Sequence, residues 1–298
     1  MNVAVFGASG TIGRPLLAEL AGEHHVVAVS RSDRPDTGGV TWKTANATDG
    51  DSVARVLEGV DVAYYLVHSL GSADFEGEDL RAAETTAREA ERAGVKQLIY
   101  LGGLGDDSAD LSPHLRSRRE TGKRLASTSV PVTTLRAAMV IGHGSAAFET
   151  IVALVNRLPA MVMPRWVTTR TQPVALPDVI AYLSGVCGLE PALGTEFDVG
   201  GPEVMTYREM IERIARIRGK RPFIVEVPVL TPRISSLWLH LVTPVRAGVA
   251  RPLIEGLRNE TVARDDQIRR LLPIELTPFD VAARTALSRL ELRGQTPE

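Results

Sequence analysis

Hydrophobic and polar positions alternate between two kinds of segment along the first half of the chain. Short runs rich in β-branched residues predict strands, and the longer amphipathic stretches between them predict helices. The predicted strands are Val3–Phe6, Val26–Ser30, Thr41–Lys43, Val62–Val67, Gln97–Leu101 and Val132–Arg136. The predicted helices cover residues 12–21, 50–58, 75–93 and 113–128. Strands that alternate with helices in this order predict an α/β fold with a doubly wound parallel sheet.

The pattern changes after about residue 140, where prolines interrupt residues 157–177 and capped helices follow. Thr206 and Glu209 have the spacing of a capping box, and Thr277-Pro278 is typical of a helix start. We therefore predict one domain over residues 1–142 and a smaller C-terminal region over residues 143–298, interleaved with the first core. Apolar residues recur at helical spacing over 234–242, which favours a core or lid helix over a membrane anchor.

A glycine-rich turn follows the first predicted strand and opens the first predicted helix. Gly7, Gly10 and Gly13 have the spacing of a dinucleotide fingerprint, in which glycines permit the tight turn, the approach of the pyrophosphate and close helix packing. The helix N-terminus offers free N–H groups to phosphate. The alternative is a turn without a ligand. This context predicts a Rossmann-type sheet whose cofactor turn comprises Gly7, Ser9, Gly10, Thr11, Ile12 and Gly13.

Basic residues near this turn bear on the choice of cofactor. Arg31 and Arg34 follow the second strand, where a cation would meet the 2'-phosphate of NADP(H), and Arg14 lies in the first helical turn. A cation there opposes the helix dipole, so a nearby anion is the better explanation. These residues favour NADP(H). The alternative is NAD(H), with Asp33 on the ribose and the arginines in solvent.

Composition narrows the partners and the compartment. A net charge of -2 gives no reason to expect nucleic acid, and no run approaches the roughly 20 apolar residues of a spanning helix. The single Cys187 excludes an internal disulfide framework and favours a reducing, cytoplasmic setting, as does the lack of a secretory signal pattern. No spacing of His, Cys, Asp and Glu predicts a metal site. The oligomeric state stays open.

Several further motifs together resemble the short-chain dehydrogenase/reductase superfamily, specifically its atypical NmrA-like and nucleoside-sugar-epimerase-like branch. They start at Gly7, Asn46, Leu66, His114, Leu135, Gln172 and Asp198. The resemblance implies that Asn46 and Ala47 lie against the adenine. It also implies that Leu66, Val67 and His68 flank the ribose that joins the nicotinamide, and that Gly102 and Gly103 face the nicotinamide ring.

The chain departs from this superfamily where catalysis is expected. Its reductases use a serine after the fifth strand and a Tyr-x-x-x-Lys pair on the next helix, whereas this sequence has Gly102-Gly103 and His114-x-x-x-Arg118. We take His114, Arg118 and His68 as candidate catalytic residues. A helix N-terminus and Arg118 both disfavour the imidazolium, so we expect a neutral His114 that positions substrate or ribose and is not the sole proton donor. The alternatives are an ordinary helix start for His114 and a hydrogen-bonded loop residue for His68.

The leading functional hypothesis is an NADP(H)-dependent oxidoreductase that acts on a small, apolar carbonyl or conjugated alkene in a cleft between the two regions. The C-terminal region would supply the substrate site and lid, with Arg165–Arg170 lining the cleft or bracing the interface. The alternative is a non-catalytic NADP(H) sensor or scaffold, in which the missing serine and tyrosine reflect lost chemistry.

Overall fold

The computed structural model describes residues 1–68, 75–105, 110–158, 160–227 and 256–295. Its centre is a seven-stranded parallel sheet in the order β11-β6-β5-β4-β1-β2-β3. The strands are β1 Asn2–Phe6, β2 His25–Ser30, β3 Val40–Thr44, β4 Val62–Tyr65, β5 Gln97–Gly103, β6 Val132–Ala137 and β11 Glu196–Val199. The strand order reverses between β1 and β4, and ligands of such sheets bind outside the carboxyl ends of the strands at this point.

Helices cover both faces of the sheet. They are α1 Gly13–Leu20, α2 Gly50–Leu57, α3 Phe75–Ala93, α4 Pro113–Leu125 and α6 Leu176–Gly185. On one face, Leu16 of α1 and Leu183 of α6 pack in a core with Val3 and Val5. On the other face, side chains of α2 and α3 pack around Phe6. The predicted doubly wound α/β fold is confirmed, and each strand and helix predicted for residues 1–142 is present with its ends within three residues of the prediction.

The C-terminal region adds three small two-stranded sheets and a third core. Its strands are β7 Val140–Ile141, β8 Ala160–Pro164, β9 Arg170–Thr171, β10 Val174–Ala175, β12 Met205–Thr206 and β13 Phe223–Val227. Its helices are α5 Ala146–Arg157, α7 Tyr207–Ile217, α8 Gln267–Leu271 and α9 Phe279–Gln295, with 3-10 turns at Arg165–Thr168 and Glu190–Ala192. The predicted capping box of Thr206 and Glu209 begins α7. The predicted helix over 234–242 lies outside the described residues.

Strand β11 joins the main sheet although it lies beyond the boundary that we predict at residue 142. It pairs with β6, and Arg136 of β6 binds the buried carboxylate of Asp198 on β11 with its Nε at 2.8 Å. The first core is therefore completed by a later segment. No helix in the described part of the chain is long and apolar enough to cross a membrane.

Candidate cofactor and substrate site

The glycine-rich turn lies between β1 and α1, and two of its glycines are required by the fold itself. Gly7 has a φ of +82°, and a Cβ there would lie 2.7 Å from the backbone of Leu66. A Cβ on Gly13 would lie 2.5 Å from the carbonyl oxygen of Gly7. Gly10 differs, because its φ is ordinary and a Cβ would meet only that same oxygen, at 3.2 Å. A side chain at position 10 would therefore need only a small shift of the turn, so the fold requires this glycine less strictly than the other two.

Two cavities meet at this turn along the carboxyl edge of the sheet. One cavity, about 480 Å³, lies over β1 and β2, and we call it the adenine-side cavity because the superfamily resemblance implies that the adenine lies there. The other, the cleft, is about 470 Å³ and lies over β1, β5 and the C-terminal region. Both are lined by Gly7, Gly10, Leu66 and His68, so they form one continuous groove. The groove runs across the topological switch point, where a dinucleotide is expected to lie.

Most residues predicted to bind cofactor line this groove. Ser9, Arg31, Asn46, Ala47 and Val67 line the adenine-side cavity, and Thr11, Ile12, Gly13, Gly102 and Gly103 line the cleft. The sequence reading missed Glu78 and Arg81 of α3, which also line the adenine-side cavity. The printed sequence holds no signal for them, because their position depends on how α3 packs.

Arg14 and Arg34 are placed differently from Arg31. The guanidinium of Arg34 lies over the ring of Trp42, 5.3 Å from its centroid. Nε of Arg14 donates a hydrogen bond of 2.9 Å to the carbonyl oxygen of Ser9. Neither residue is among those that line the two cavities. Of the three predicted phosphate ligands, Arg31 has the position that the prediction requires.

Gly102 and Gly103 end β5 beneath α4. A Cβ on Gly103 would lie 2.9 Å from the side chain of Leu115, and one on Gly102 would lie 3.3 Å from Tyr100. Gly103 therefore lets α4 pack closely on the end of the strand, whereas Gly102 faces side chains of β5 and β6. This packing brings residues of the first turns of α4 to the wall of the cleft.

Three side chains form a hydrogen-bonded row at the junction of the two cavities. Nδ1 of His68 lies 2.7 Å from Oδ2 of Asp79 on α3, and Nε2 of His68 lies 3.4 Å from Nδ1 of His114 on α4. The carboxyl of Asp79 is 2% exposed, and the two imidazole centroids are 5.2 Å apart. Sequence reasoning proposed both histidines but missed Asp79, which precedes His114 by 35 positions and has no motif around it.

Burial keeps both histidines neutral. It lowers the pKa of His114 to about 3, with smaller contributions from His68 and Arg118. Burial also lowers the pKa of His68, which the hydrogen bond to Asp79 partly raises again. The neutral His114 expected from the sequence is present, but burial is its main cause. The expected helix N-terminus is capped by Ser112, whose hydroxyl accepts a hydrogen bond from the backbone of Leu115 at 3.3 Å.

Arg118 is held against the wall of the cleft. Its guanidinium donates a hydrogen bond to the carbonyl of Leu101 and lies 5.1 Å from the ring centroid of Tyr100. The hydroxyl of Tyr100 in turn donates to the carbonyl of Arg118 at 2.8 Å. Arg118 therefore presents a fixed cation beside His114, where the superfamily pattern places lysine.

The opposite wall of the cleft comes from the C-terminal region. It includes Tyr207 at the start of α7 and Thr261, whose hydroxyl donates to that of Thr171 at 2.8 Å. The hydroxyl of Thr11 in the glycine-rich turn donates to the carbonyl of Gly144 at 2.8 Å, which ties the two regions together. In the predicted cluster at Arg165–Arg170, Arg170 is exposed and lies 3.8 Å from Glu260, while the side chains of Arg165 and Trp166 are outside the description.

Comparison with known sequences identifies the first half of the chain. The profile of a family described as NAD(P)H-binding matches residues 7–150, which carry the turn, Asp79, both histidines and Arg118. Residues 7–150 therefore match an NAD(P)H-binding domain, which is just under half of the chain. The resemblance seen in the sequence is thereby confirmed, and so is a nicotinamide dinucleotide as the cofactor class.

Two curated proteins are similar to about three quarters of the chain. Subunit 9 of the 1 alpha subcomplex of mitochondrial NADH dehydrogenase (ubiquinone) from Arabidopsis thaliana is 27% identical over 241 residues, 75% of this chain and 60% of that protein. A (4-alkanoyl-5-oxo-2,5-dihydrofuran-3-yl)methyl phosphate reductase from Streptomyces griseus is 28% identical over 229 residues, 73% of this chain and 74% of that protein. The chain thus spans less than two thirds of the plant subunit.

Solved structures share the fold over nearly the whole chain. A nucleoside-diphosphate-sugar epimerase from Staphylococcus aureus superposes with a TM-score of 0.78 at 15% identity, over 95% of this chain and 100% of that one. Triphenylmethane reductase from Citrobacter sp., complexed with NADP(H), superposes with a TM-score of 0.74 at 17% identity, over 96% and 100%. The fold that these structures share with the chain therefore includes the C-terminal region as well as the NAD(P)H-binding domain.

Proposed function

We propose that the chain is an NADP(H)-dependent oxidoreductase that acts on a small, apolar carbonyl compound or conjugated alkene. The observation that carries this proposal is the continuous groove, which has Arg31 at one end and an apolar cleft with two histidines at the other. A nicotinamide cofactor, when bound, supplies the hydride, and the protein orients the reactants. We also expect the chain to act in the cytoplasm and without nucleic acid.

The residues present fit a dinucleotide. Gly10 leaves open the space above the turn that a pyrophosphate would need, and α1 directs its N-terminus to the same space. Asn46 and Ala47 would lie against the adenine, and Arg31 would bind the 2'-phosphate through its planar guanidinium. Leu66 and Val67 would flank the ribose, with Gly102 and Gly103 beside the nicotinamide.

The cleft fits a small molecule that is mostly apolar. Its volume of about 470 Å³ lies in the usual range for ligand pockets, and aliphatic side chains make up much of its wall. The polar groups among the described lining residues are few and come from both regions of the chain. They include His68, His114, Arg118, Thr11, Ser145, Tyr207 and Thr261. Such a wall selects for shape and holds one or two polar atoms of a substrate.

Two similarities support this choice of reaction and cofactor. The Streptomyces relative is named as a reductase of an oxo-dihydrofuran phosphate, a ring that carries a carbonyl group. The Citrobacter reductase was solved with NADP(H). For this chain, Arg31 is the residue that argues for NADP(H) over NAD(H), since of the three arginines predicted to bind phosphate only Arg31 lines the groove.

The test combines calorimetric titration of the purified chain with NADPH and NADH and mass spectrometry of small molecules that co-purify with it. We expect tighter binding of NADPH, and an apolar carbonyl or enone among the co-purified molecules whose reduction consumes NADPH. Equal affinities for the two cofactors would contradict the NADP(H) assignment. NADPH binding without turnover of any co-purified molecule would contradict the enzyme.

A non-catalytic NADP(H) sensor or scaffold is the second candidate. Gly102 and Gly103 leave the end of β5 without the hydroxyl that superfamily reductases use there. The plant relative is named as a subunit of a larger complex. A sensor would bind NADPH as tightly as the enzyme would. Substitutions in its cleft would leave binding to its protein partner unchanged, except at residues that contact that partner.

A further inference from the structure

The two hydrogen bonds that join Asp79, His68 and His114 run in one direction, because only some of the atoms can donate. An ionised carboxylate only accepts, so Nδ1 of His68 donates its proton to Asp79 across the 2.7 Å contact. Nε2 of a neutral His68 is then an acceptor, and Nδ1 of His114 donates to it across 3.4 Å. This order leaves Nε2 of His114 without a proton, on a residue that lines the cleft.

We propose that Asp79, His68 and His114 form a proton relay that carries a proton between the substrate cleft and the buried Asp79–His68 pair. The relay takes the place of the missing tyrosine, and it gives His114 a part in proton transfer in place of the positioning role expected from the sequence. This role rests on the oxidoreductase proposed above. In the oxidative direction, the substrate hydroxyl gives its proton to Nε2 of His114 as its O–H bond breaks. His114 passes the proton on Nδ1 to Nε2 of His68, and the resulting imidazolium is paired with the carboxylate of Asp79.

This arrangement removes the difficulty that a neutral, buried histidine is a poor proton donor. His114 need not hold a charge, because the charge resides on His68 beside Asp79. The ring of His68 also borders both cavities, and its two nitrogens join Asp79 to His114. In the reductive direction the same steps run backwards and require a protonated His68. The relay therefore favours oxidation at high pH and reduction at low pH.

The charged and titratable groups around His68 are consistent with this role. Burial and Arg118 of α4 lower the pKa of His68, whereas the hydrogen bond to Asp79 of α3 and the charge of Asp79 raise it. Tyr65 of β4 is fully buried, and burial together with the nearby Asp79 raises its pKa, so its hydroxyl stays protonated beside the row. A metal site is the other use for two histidines and an aspartate, but no group of three such side chains among the described residues could hold a metal ion.

The test is 15N NMR of the histidine side chains in the ligand-free full chain, with the two rings assigned from His68→Gln and His114→Gln. We expect both rings near pH 7 to carry the proton on Nδ1 and to leave Nε2 unprotonated. A proton on Nε2 of either neutral ring would overturn the relay. This measurement needs no substrate and no variant of Asp79.

The role of Asp79 as a positioning residue is tested by Asp79→Asn with Glu76→Gln as its control. Both variants remove one carboxylate from the first turns of α3, but only Asp79 contacts His68. We expect Asp79→Asn to lower the pKa of His68 by about one unit or more, and Glu76→Gln to leave it nearly unchanged. Equal shifts in the two variants would overturn the proposal, and if Asp79→Asn does not fold, the wild-type protonation pattern decides.

The two proposals fail separately. If the expected protonation pattern is present but NADPH does not bind, the oxidoreductase is wrong and the row is structural. If NADPH binds and a substrate is turned over without the pattern, the oxidoreductase stands and the relay is wrong. When both hold, His114→Gln should slow turnover by about 100-fold or more, the usual size of a proton-transfer contribution, with NADPH affinity unchanged.

Discussion

The glycine-rich turn and the cleft are built in different ways. At the turn, where the two cavities meet, backbone geometry dominates, because three glycines within seven residues and the start of one helix shape it. At the cleft, side chains dominate, and they come from α3, α4, α7 and the loop that precedes α8. The turn depends on local sequence, and the cleft depends on tertiary packing. Substitutions should therefore affect cofactor binding and chemistry separately.

The largest effect on cofactor binding is expected at the glycine-rich turn, from Gly10→Val. A valine there would fill the space that a pyrophosphate needs, so NADPH affinity should fall at least about 100-fold, or 2.7 kcal/mol. The fold should survive, because φ at Gly10 is ordinary and the nearest atom to a Cβ is 3.2 Å away. Calorimetry measures the affinity, and circular dichroism checks the fold.

Gly22→Val is the matched control for that variant. Gly22 follows α1, also has an ordinary φ, and its Cβ would meet only the carbonyl oxygen of Glu19, at 3.8 Å. It should bind NADPH like the wild type. If Gly10→Val kept full protection by NADPH in a thermal melt, the turn would be purely structural and the contrast between the turn and the cleft would disappear.

A smaller effect is expected from Arg31→Ala. A charge-assisted hydrogen bond to phosphate contributes about 1.5–3 kcal/mol, so NADPH affinity should fall about tenfold or more while NADH affinity changes little. Arg34→Ala is the control, because Arg34 lies over Trp42 and away from the groove. Loss of NADPH affinity in Arg34→Ala but not in Arg31→Ala would reverse this assignment.

The smallest effect concerns stability in acid and comes from the cleft. The pKa of His114 is about 3 in the folded chain and near 6.5 when unfolded, so the unfolded chain binds its proton first as pH falls. The stability that the folded chain has with a neutral His114 is complete above pH 6.5 and is lost progressively as the pH falls towards 3. Between pH 7 and 4.5, the Tm of the wild type should fall about 5 °C further than that of His114→Gln.

Differential scanning calorimetry at several pH values provides this measurement. The comparison is between slopes and not absolute values, because the substitution also removes the contact with His68. Parallel pH dependence of Tm in the two proteins would show that His114 titrates normally. That outcome would also contradict the assignment of His114 as a buried, uncharged residue of the cleft.

The contrast between the turn and the cleft explains how much the sequence could predict. The strands and helices of the first half follow from hydrophobic periodicity, and the turn follows from glycine spacing after a strand. Asp79 and Tyr207 could not be predicted, because each reaches the site through packing of a whole helix against distant residues. Arg34 illustrates the same limit, since its sequence position suits phosphate but the neighbouring strand places Trp42 beneath it.

Strand β11 has a consequence for how the protein is made. During synthesis the residues up to β6 can assemble six strands, but the outer edge of β6 stays open until residues 196–199 leave the ribosome. Open strand edges recruit other chains, and Arg136 lacks its partner Asp198 during that interval. A gene fragment that stops at residue 150 should therefore aggregate, whereas the full chain, in which β11 covers that edge, should be recovered in the supernatant after lysis.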